Sequence, residues 1–154
     1  MISALAEFHG LNGRVHSLDS GSFGLLCRHS AGVLTINSTS GLSAIAHGTP
    51  LMVLGDAIYR NPELVWCASG EEDLARFWTE CWAAAAGLRR RYLAWLSHLT
   101  TVPGDYYDEA GQVVAVDGLK VKLRQCLLQG ARLSEPSWQP TSAEEREAPR
   151  VVEV

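Results

Sequence analysis

The stretch Val33-Leu34-Thr35-Ile36-Asn37-Ser38-Thr39-Ser40-Gly41-Leu42-Ser43-Ala44-Ile45-Ala46-His47-Gly48-Thr49-Pro50-Leu51-Met52-Val53-Leu54-Gly55 constrains the fold more than any other. Two short aliphatic runs bracket a segment long enough for a turn and one short helix, which is how parallel strands are joined; an antiparallel pair needs only a tight turn. The first run is continuous enough in apolar character to be an interior parallel strand. Gly48 stops the helix and Thr49-Pro50 restarts the chain as the second strand. Asn37, Ser38, Thr39, Ser40 and Gly41 fall between strand end and helix start, where hydroxyls and unpaired backbone N–H groups meet the positive end of the helix dipole. That is an anion-binding layout.

The flanking chain repeats the alternation. Arg14-Val15-His16-Ser17-Leu18 is a candidate strand, and Ser22 caps a short helix reaching His29 with Phe23, Leu25 and Leu26 on one face. Leu64-Val65-Trp66-Cys67 is a further strand. A helix is expected over residues 71–86, capped by Ser69 with Glu72 completing a capping box, and Leu74, Phe77, Trp78, Cys81 and Trp82 form its core-facing stripe. A second long helix over residues 88–99 turns Tyr92, Trp95, Leu96 and Leu99 inward before Pro103-Gly104 stops it. Strands alternating with helices specify an α/β fold, a Rossmann-like parallel sheet with flanking helices. Beyond residue 107 the pattern weakens: residues 112–116 suggest a strand, 119–128 a helix, and 135–154 a disordered tail. The expected divisions are thus 1–107, a short α/β extension at 108–134, and 135–154.

Charge and cysteine usage exclude several function classes. A formal charge of −4 over 154 residues gives no footprint for nucleic acid. Arg89-Arg90-Arg91 is a local basic spot, read as a solvated helix face, with anionic lipid headgroups as the alternative partner. Cys27, Cys67, Cys81 and Cys126 form no CxxC pair, so neither a zinc site nor a redox dithiol is signalled, and no metal or cofactor is expected. No run approaches the roughly 18 apolar residues of a membrane span, and the first residues are too soon interrupted by charge for a signal peptide. A cytoplasmic protein is expected, at most peripheral to the inner membrane.

Candidate chemistry gathers at the strand ends, where open α/β sheets bind ligands. Ser38, Thr39 and Ser40 either bind an anion or merely cap the helix, and Gly41 favours binding by letting backbone N–H groups approach closely. The turn is not a triphosphate loop, because GxxxxGK[ST] is absent, and Ser38 lacks the GxSxG setting of a hydrolase nucleophile. Asn37, His47 and Tyr59 are candidate cleft-lining residues. His47 is otherwise a C-terminal dipole partner, and Tyr59 either stacks on a base or sugar or packs in the core. His9, His16, His29 and His98 show no metal-ligand spacing.

These residues resemble a known family. Val33-Leu34-Thr35-Ile36-Asn37-Ser38-Thr39-Ser40-Gly41-Leu42-Ser43-Ala44, His47-Gly48-Thr49-Pro50, Val53-Leu54-Gly55 with Tyr59, then Asp73-Leu74-Ala75-Arg76-Phe77-Trp78 and Val102-Pro103-Gly104-Asp105-Tyr106-Tyr107 are similar, in order, to segments of the capsule polysaccharide biosynthesis/export family. That family includes bacterial transferases placing β-linked Kdo on a lipid linker. The resemblance implies the C-terminal, donor-binding domain of a GT-B glycosyltransferase and a CMP-activated sugar, CMP-Kdo, with the donor phosphate against Ser38, Thr39, Ser40 and Gly41. The family's upstream His-Pro motif has no counterpart here. The expectation is therefore a donor-binding half, inactive alone, that needs a chain supplying the N-terminal domain; no catalytic residue is assigned. A non-catalytic nucleotide- or partner-binding module in polysaccharide assembly or export is the alternative, and a homodimer is a candidate assembly because a missing half leaves apolar surface exposed.

Overall fold

The structure is a computed structural model that describes residues 1–105, 107–128 and 146–147. In chain order its elements are α1 (Ile2–Phe8), α2 (Phe23–His29), β1 (Val33–Thr35), α3 (Gly41–His47), β2 (Leu51–Val53), β3 (Trp66–Cys67), α4 (Glu71–Glu80), β4 (Ala83–Ala84), α5 (Ala86–Thr100), α6 (Glu109–Leu128) and β5 (Arg146–Glu147).

The aliphatic runs form strands as expected. β1, β2 and β3 make one parallel sheet in that order, with Val33 opposite Leu51 and Val53 opposite Cys67. This is a small parallel α/β sheet with flanking helices. The interior strand is β2, whose three residues are all buried, whereas β1 lies at an edge of the sheet formed by the described residues. Residues 14–18, expected as a strand, form none, and so nothing there pairs with β1. Helix α1 was not anticipated.

Local chemistry accounts for the helix ends. Ser22 occupies the N-cap position of α2 but its side chain makes no capping bond, whereas Gly48 ends α3 in the left-handed conformation at φ 70°. Gly48 is doubly required, since a Cβ there would lie 2.7 Å from Nη2 of Arg89. Arg89 corrects the expectation of a uniformly solvated triplet: it is buried, donating from Nε to Ala84 O at 2.6 Å and from Nη1 to Ile45 O at 3.0 Å, while Arg90 and Arg91 are exposed. The last carbonyls of a helix need donors, and here a guanidinium from α5 supplies one to α3.

Helix α4 differs from expectation at both ends. Its N-cap is Gly70, which has no side chain to close a box, and Asp73 rather than Glu72 accepts the N-cap N–H at 3.3 Å. It stops at Glu80, because Trp82 turns inward to pack 5.7 Å from Trp66 and Ala83–Ala84 become the extended β4. Of the expected stripe, Phe77, Cys81 and Trp82 are buried, but Leu74 and Trp78 are exposed. In α5, Tyr92 and Leu96 are buried and Leu99 is not. The strand expected at 112–116 is instead part of α6, and no helix among the described residues is long and apolar enough to cross a membrane. The tail expected at 135–154 lies outside the described residues except β5, which pairs antiparallel with β4.

Candidate functional site

The turn between β1 and α3 is built around the Ser38 carbonyl. Its oxygen accepts the Gly41 N–H at 3.0 Å and the hydroxyl of Tyr59, which arrives from beyond β2. Thr35 Oγ1 accepts the Ser38 N–H at 3.2 Å, Ser38 Oγ accepts the Ser40 N–H at 3.2 Å, and the two serine hydroxyls lie 2.7 Å apart. The N–H groups of Leu42 and Ser43 go to Thr39 O and Ser40 O, both at 3.0 Å. The Thr39 N–H and hydroxyl stand outside this set, on an exposed residue. Asn37, Ser38 and Thr39 are all exposed at the C-terminal edge of the sheet, and no acid occupies the first turn of α3.

Gly41 and Tyr59 explain one another. Gly41 is buried, and a Cβ there would fall 2.5 Å from Cζ of Tyr59 and closer still to its hydroxyl. The glycine therefore makes room for the tyrosine ring, a packing role that its place in the turn did not signal. Tyr59 is 1% exposed, so its ring packs rather than presenting a stacking face, and burial raises its phenol above the ordinary range against a smaller opposing contribution from Thr35. His47 lies at the far end of α3, about 10 Å along a seven-residue helix, where its Nδ1 accepts from Arg28 Nε at 3.3 Å. That is the opposite edge of the sheet, so His47 does not join the turn.

Arg60 is a residue the sequence reading missed. Its guanidinium donates to Val53 O and Gly55 O at 3.1 Å each and to Ala68 O at 2.8 Å, tying together the ends of β2 and β3 and holding a positive charge on the turn's side of the sheet. The only sequence signal was an arginine soon after a strand, beside Tyr59.

The second helix start on this edge has the opposite character. Asp73 Oδ2 accepts the Ser69 N–H and hydroxyl, each at 2.7 Å, and the Gly70 N–H at 3.3 Å. These bonds hold its carboxyl below the usual range, the Ser69 backbone bond contributing most. With Glu71 and Glu72 alongside, the α4 start is filled by its own carboxylate and repels an anion. An open groove of about 380 Å³, lined by Leu54, Ala68, Ser69, Gly70, Glu71 and Leu74, lies at this start. Among the described residues no cluster of His, Cys, Asp and Glu could hold a metal. Of the two helix starts on this edge, that of α3 is the one without a carboxylate in its first turn.

Sequence comparison places this unit in a family. The family described as capsule polysaccharide biosynthesis protein matches residues 1–107. The chain belongs to the capsule polysaccharide biosynthesis family. It is 32% identical over 105 residues to the capsule polysaccharide modification protein LipB of Neisseria meningitidis serogroup A, covering 68% of this chain and 24% of LipB. It is also 32% identical over 107 residues to the capsule polysaccharide export protein KpsS of Escherichia coli, covering 70% of this chain and 26% of KpsS. The chain spans about a quarter of the length of these relatives. No solved structure matches it. The family match contains the turn, Tyr59, Arg60 and α4; α6 lies beyond it.

Proposed function

We propose that this chain carries the donor-phosphate site of a capsule polysaccharide glycosyltransferase, corresponding to the C-terminal domain of a GT-B enzyme that uses CMP-Kdo and a lipid-linked acceptor. The observation that supports this most is the exposed, acid-free hydroxyl turn at the start of α3, set on the strand-end edge of a parallel sheet where the neighbouring start of α4 is filled by its own carboxylate. Hydroxyls of Ser38, Thr39 and Ser40 and the Thr39 N–H would donate to phosphate oxygens of the departing CMP, stabilising charge that develops as the sugar leaves. The turn is held in place by Tyr59 before any ligand arrives, so donors aimed there cost little reorganisation. The acceptor must be positioned by residues outside this set, because transfer depends on bringing both substrates together. Peripheral contact with the inner membrane would follow from a lipid-linked acceptor.

A second reading is a non-catalytic binding module in polysaccharide assembly or export. It is favoured by the internal satisfaction of the turn: the N–H groups of Ser38, Ser40, Gly41, Leu42 and Ser43 all have acceptors within it. Calorimetric titration with CMP separates the two. Hydrogen bonds to a charged group contribute about 2 kcal/mol, so Thr39→Ala, which leaves the turn's own bonds intact, should weaken CMP by roughly thirtyfold. Combining it with Ser38→Ala should abolish detectable binding. A folded protein that takes up no CMP would leave the module reading.

A further inference from the structure

Among the described residues, helix α6 is packed on one side only. Gly111, Ala115 and Gly118 face the segment before the helix so closely that a Cβ on Gly104 would lie 2.6 Å from Gly111 O, and one on Gly118 3.2 Å from Val102 Cβ. Lys122 fastens the same side, donating to His98 O, Leu99 O and Thr101 O at 2.9, 3.2 and 2.6 Å. On the opposite side Glu109, Val113, Val116, Lys120, Leu123 and Leu127 recur at alternating four- and three-residue steps, the spacing of a coiled-coil seam. Val113, Val116, Leu123 and Leu127 are 62, 50, 54 and 78% exposed. A groove of about 530 Å³ runs beside the N-terminal half of this seam, between Glu109, Gln112, Val113, Val116, Asp117 and Lys120.

We propose that this seam pairs, antiparallel, with the same helix of a second copy of the chain. The area reaches the lower bound: the four apolar seam residues with flanking Leu119 expose on the order of 500 Å² per copy, so a pair that covers them fully buries on the order of 1,000 Å², the least that a specific interface needs. The helix starts after residue 107, where the family match ends, so the portion shared with LipB and KpsS relatives does not define what covers it. A membrane surface fits less well. Lys120 is bonded to Asp117 at 3.1 Å and Lys122 to α5 carbonyls, which leaves Arg124 among the described cations of α6 and no basic face for anionic lipid. Charge sets the direction. Parallel pairing would set Lys120 against Lys120 in mid-seam; antiparallel pairing sets it against Val116 of the second copy, brings Leu123 onto Val113, and lays the half carrying Arg124 over the half carrying Glu109.

Light scattering on the eluting full chain at micromolar concentration tests this. Twice the chain mass is expected for the wild type. Leu123→Asp, at an exposed position that leaves circular dichroism unchanged, should raise the dimer dissociation constant roughly a hundredfold or more. Oxidation of a Val113→Cys, Leu123→Cys double variant should cross-link faster than the wild type with its own cysteines, and Leu123→Cys alone should not. A monomeric wild type, with the seam left to residues 129–154 or to added lipid vesicles, overturns the proposal. So does a dimer indifferent to Leu123→Asp. Cross-linking by Leu123→Cys alone overturns the antiparallel direction.

Discussion

Gly41→Ala has a sign that depends on why the glycine is there. Alanine in place of glycine in an unstrained helix stabilises by about 0.5–1 kcal/mol, because the unfolded chain loses freedom and the helix gains a good former. Gly41 sits at the first position of α3 without a positive φ, so that gain is available. Against it stands the contact geometry: the new Cβ would lie 2.5 Å from Cζ of Tyr59 and 2.9 Å from Cε2, and the ring, 1% exposed, has no free space to retreat into. Overpacking of this kind costs about 1–3 kcal/mol, and displacing the ring also strains the hydroxyl's bond to Ser38 O. The net expectation is destabilisation by about 1.5 kcal/mol, read as a lower urea midpoint at unchanged slope and a Tm lower by roughly 3–6 °C. Tyr59→Leu should relieve the clash, so the double variant should be more stable than the two single changes sum to. A Gly41→Ala protein as stable as the wild type, or more so, would refute the packing account of the turn.

Arg89→Ala should cost about 3 kcal/mol, since two charge-assisted bonds to Ile45 O and Ala84 O are lost, whereas Arg90→Ala should stay within about 0.5 kcal/mol; chemical denaturation of both checks this. The Asp73 carboxyl is held below its unfolded value by Ser69 and Gly70, so its contribution is complete above the ordinary carboxylate range and disappears as pH falls through the lowered folded value. The stability gap between wild type and Asp73→Asn should accordingly be widest at neutral pH and close in acid; a gap that widens in acid would contradict the cap. Cys27 is 1% exposed and burial raises its thiol, so pulse alkylation at neutral pH, read by mass spectrometry, should modify it only on unfolding. Labelling of native Cys27 at the rate of a free thiol would show that the packing of α2 on α3 is wrong.

The parts of this fold legible in the sequence are those in which local chemistry and tertiary packing agree. β1, α3 and β2 follow from aliphatic runs punctuated by Ser, Gly and Pro, and Gly48 marks the end of α3 because its φ demands it. Disagreement arose where tertiary partners decide. Residues 83–85 are alanines and read as helix by propensity, yet the chain extends there because Trp82 is drawn against Trp66 and Arg89 reaches back to Ala84 O, and α5 begins only at Ala86. Residues 112–116 carry valines suited to a strand but lie in a helix, with no strand among the described residues paired beside them. Arg89 was hidden in a charged triplet, although its place three residues before Tyr92 and seven before Leu96 puts it on the apolar face of α5. At the candidate site, the hydroxyls were visible in the sequence. Tyr59 reaching back to Ser38 and Arg60 clamping the strand ends were not, since no local spacing encodes a bond across the sheet.

The donor site is tested most directly by amide chemical shifts of the labelled protein during titration with CMP. The largest changes should fall on Ser38, Thr39, Ser40 and Gly41, with Thr39 foremost because its N–H takes no part in the bonds within the turn. Changes centred instead on Ser69, Gly70 and Asp73, or none at saturating CMP, would contradict the assignment of the α3 start as the phosphate site.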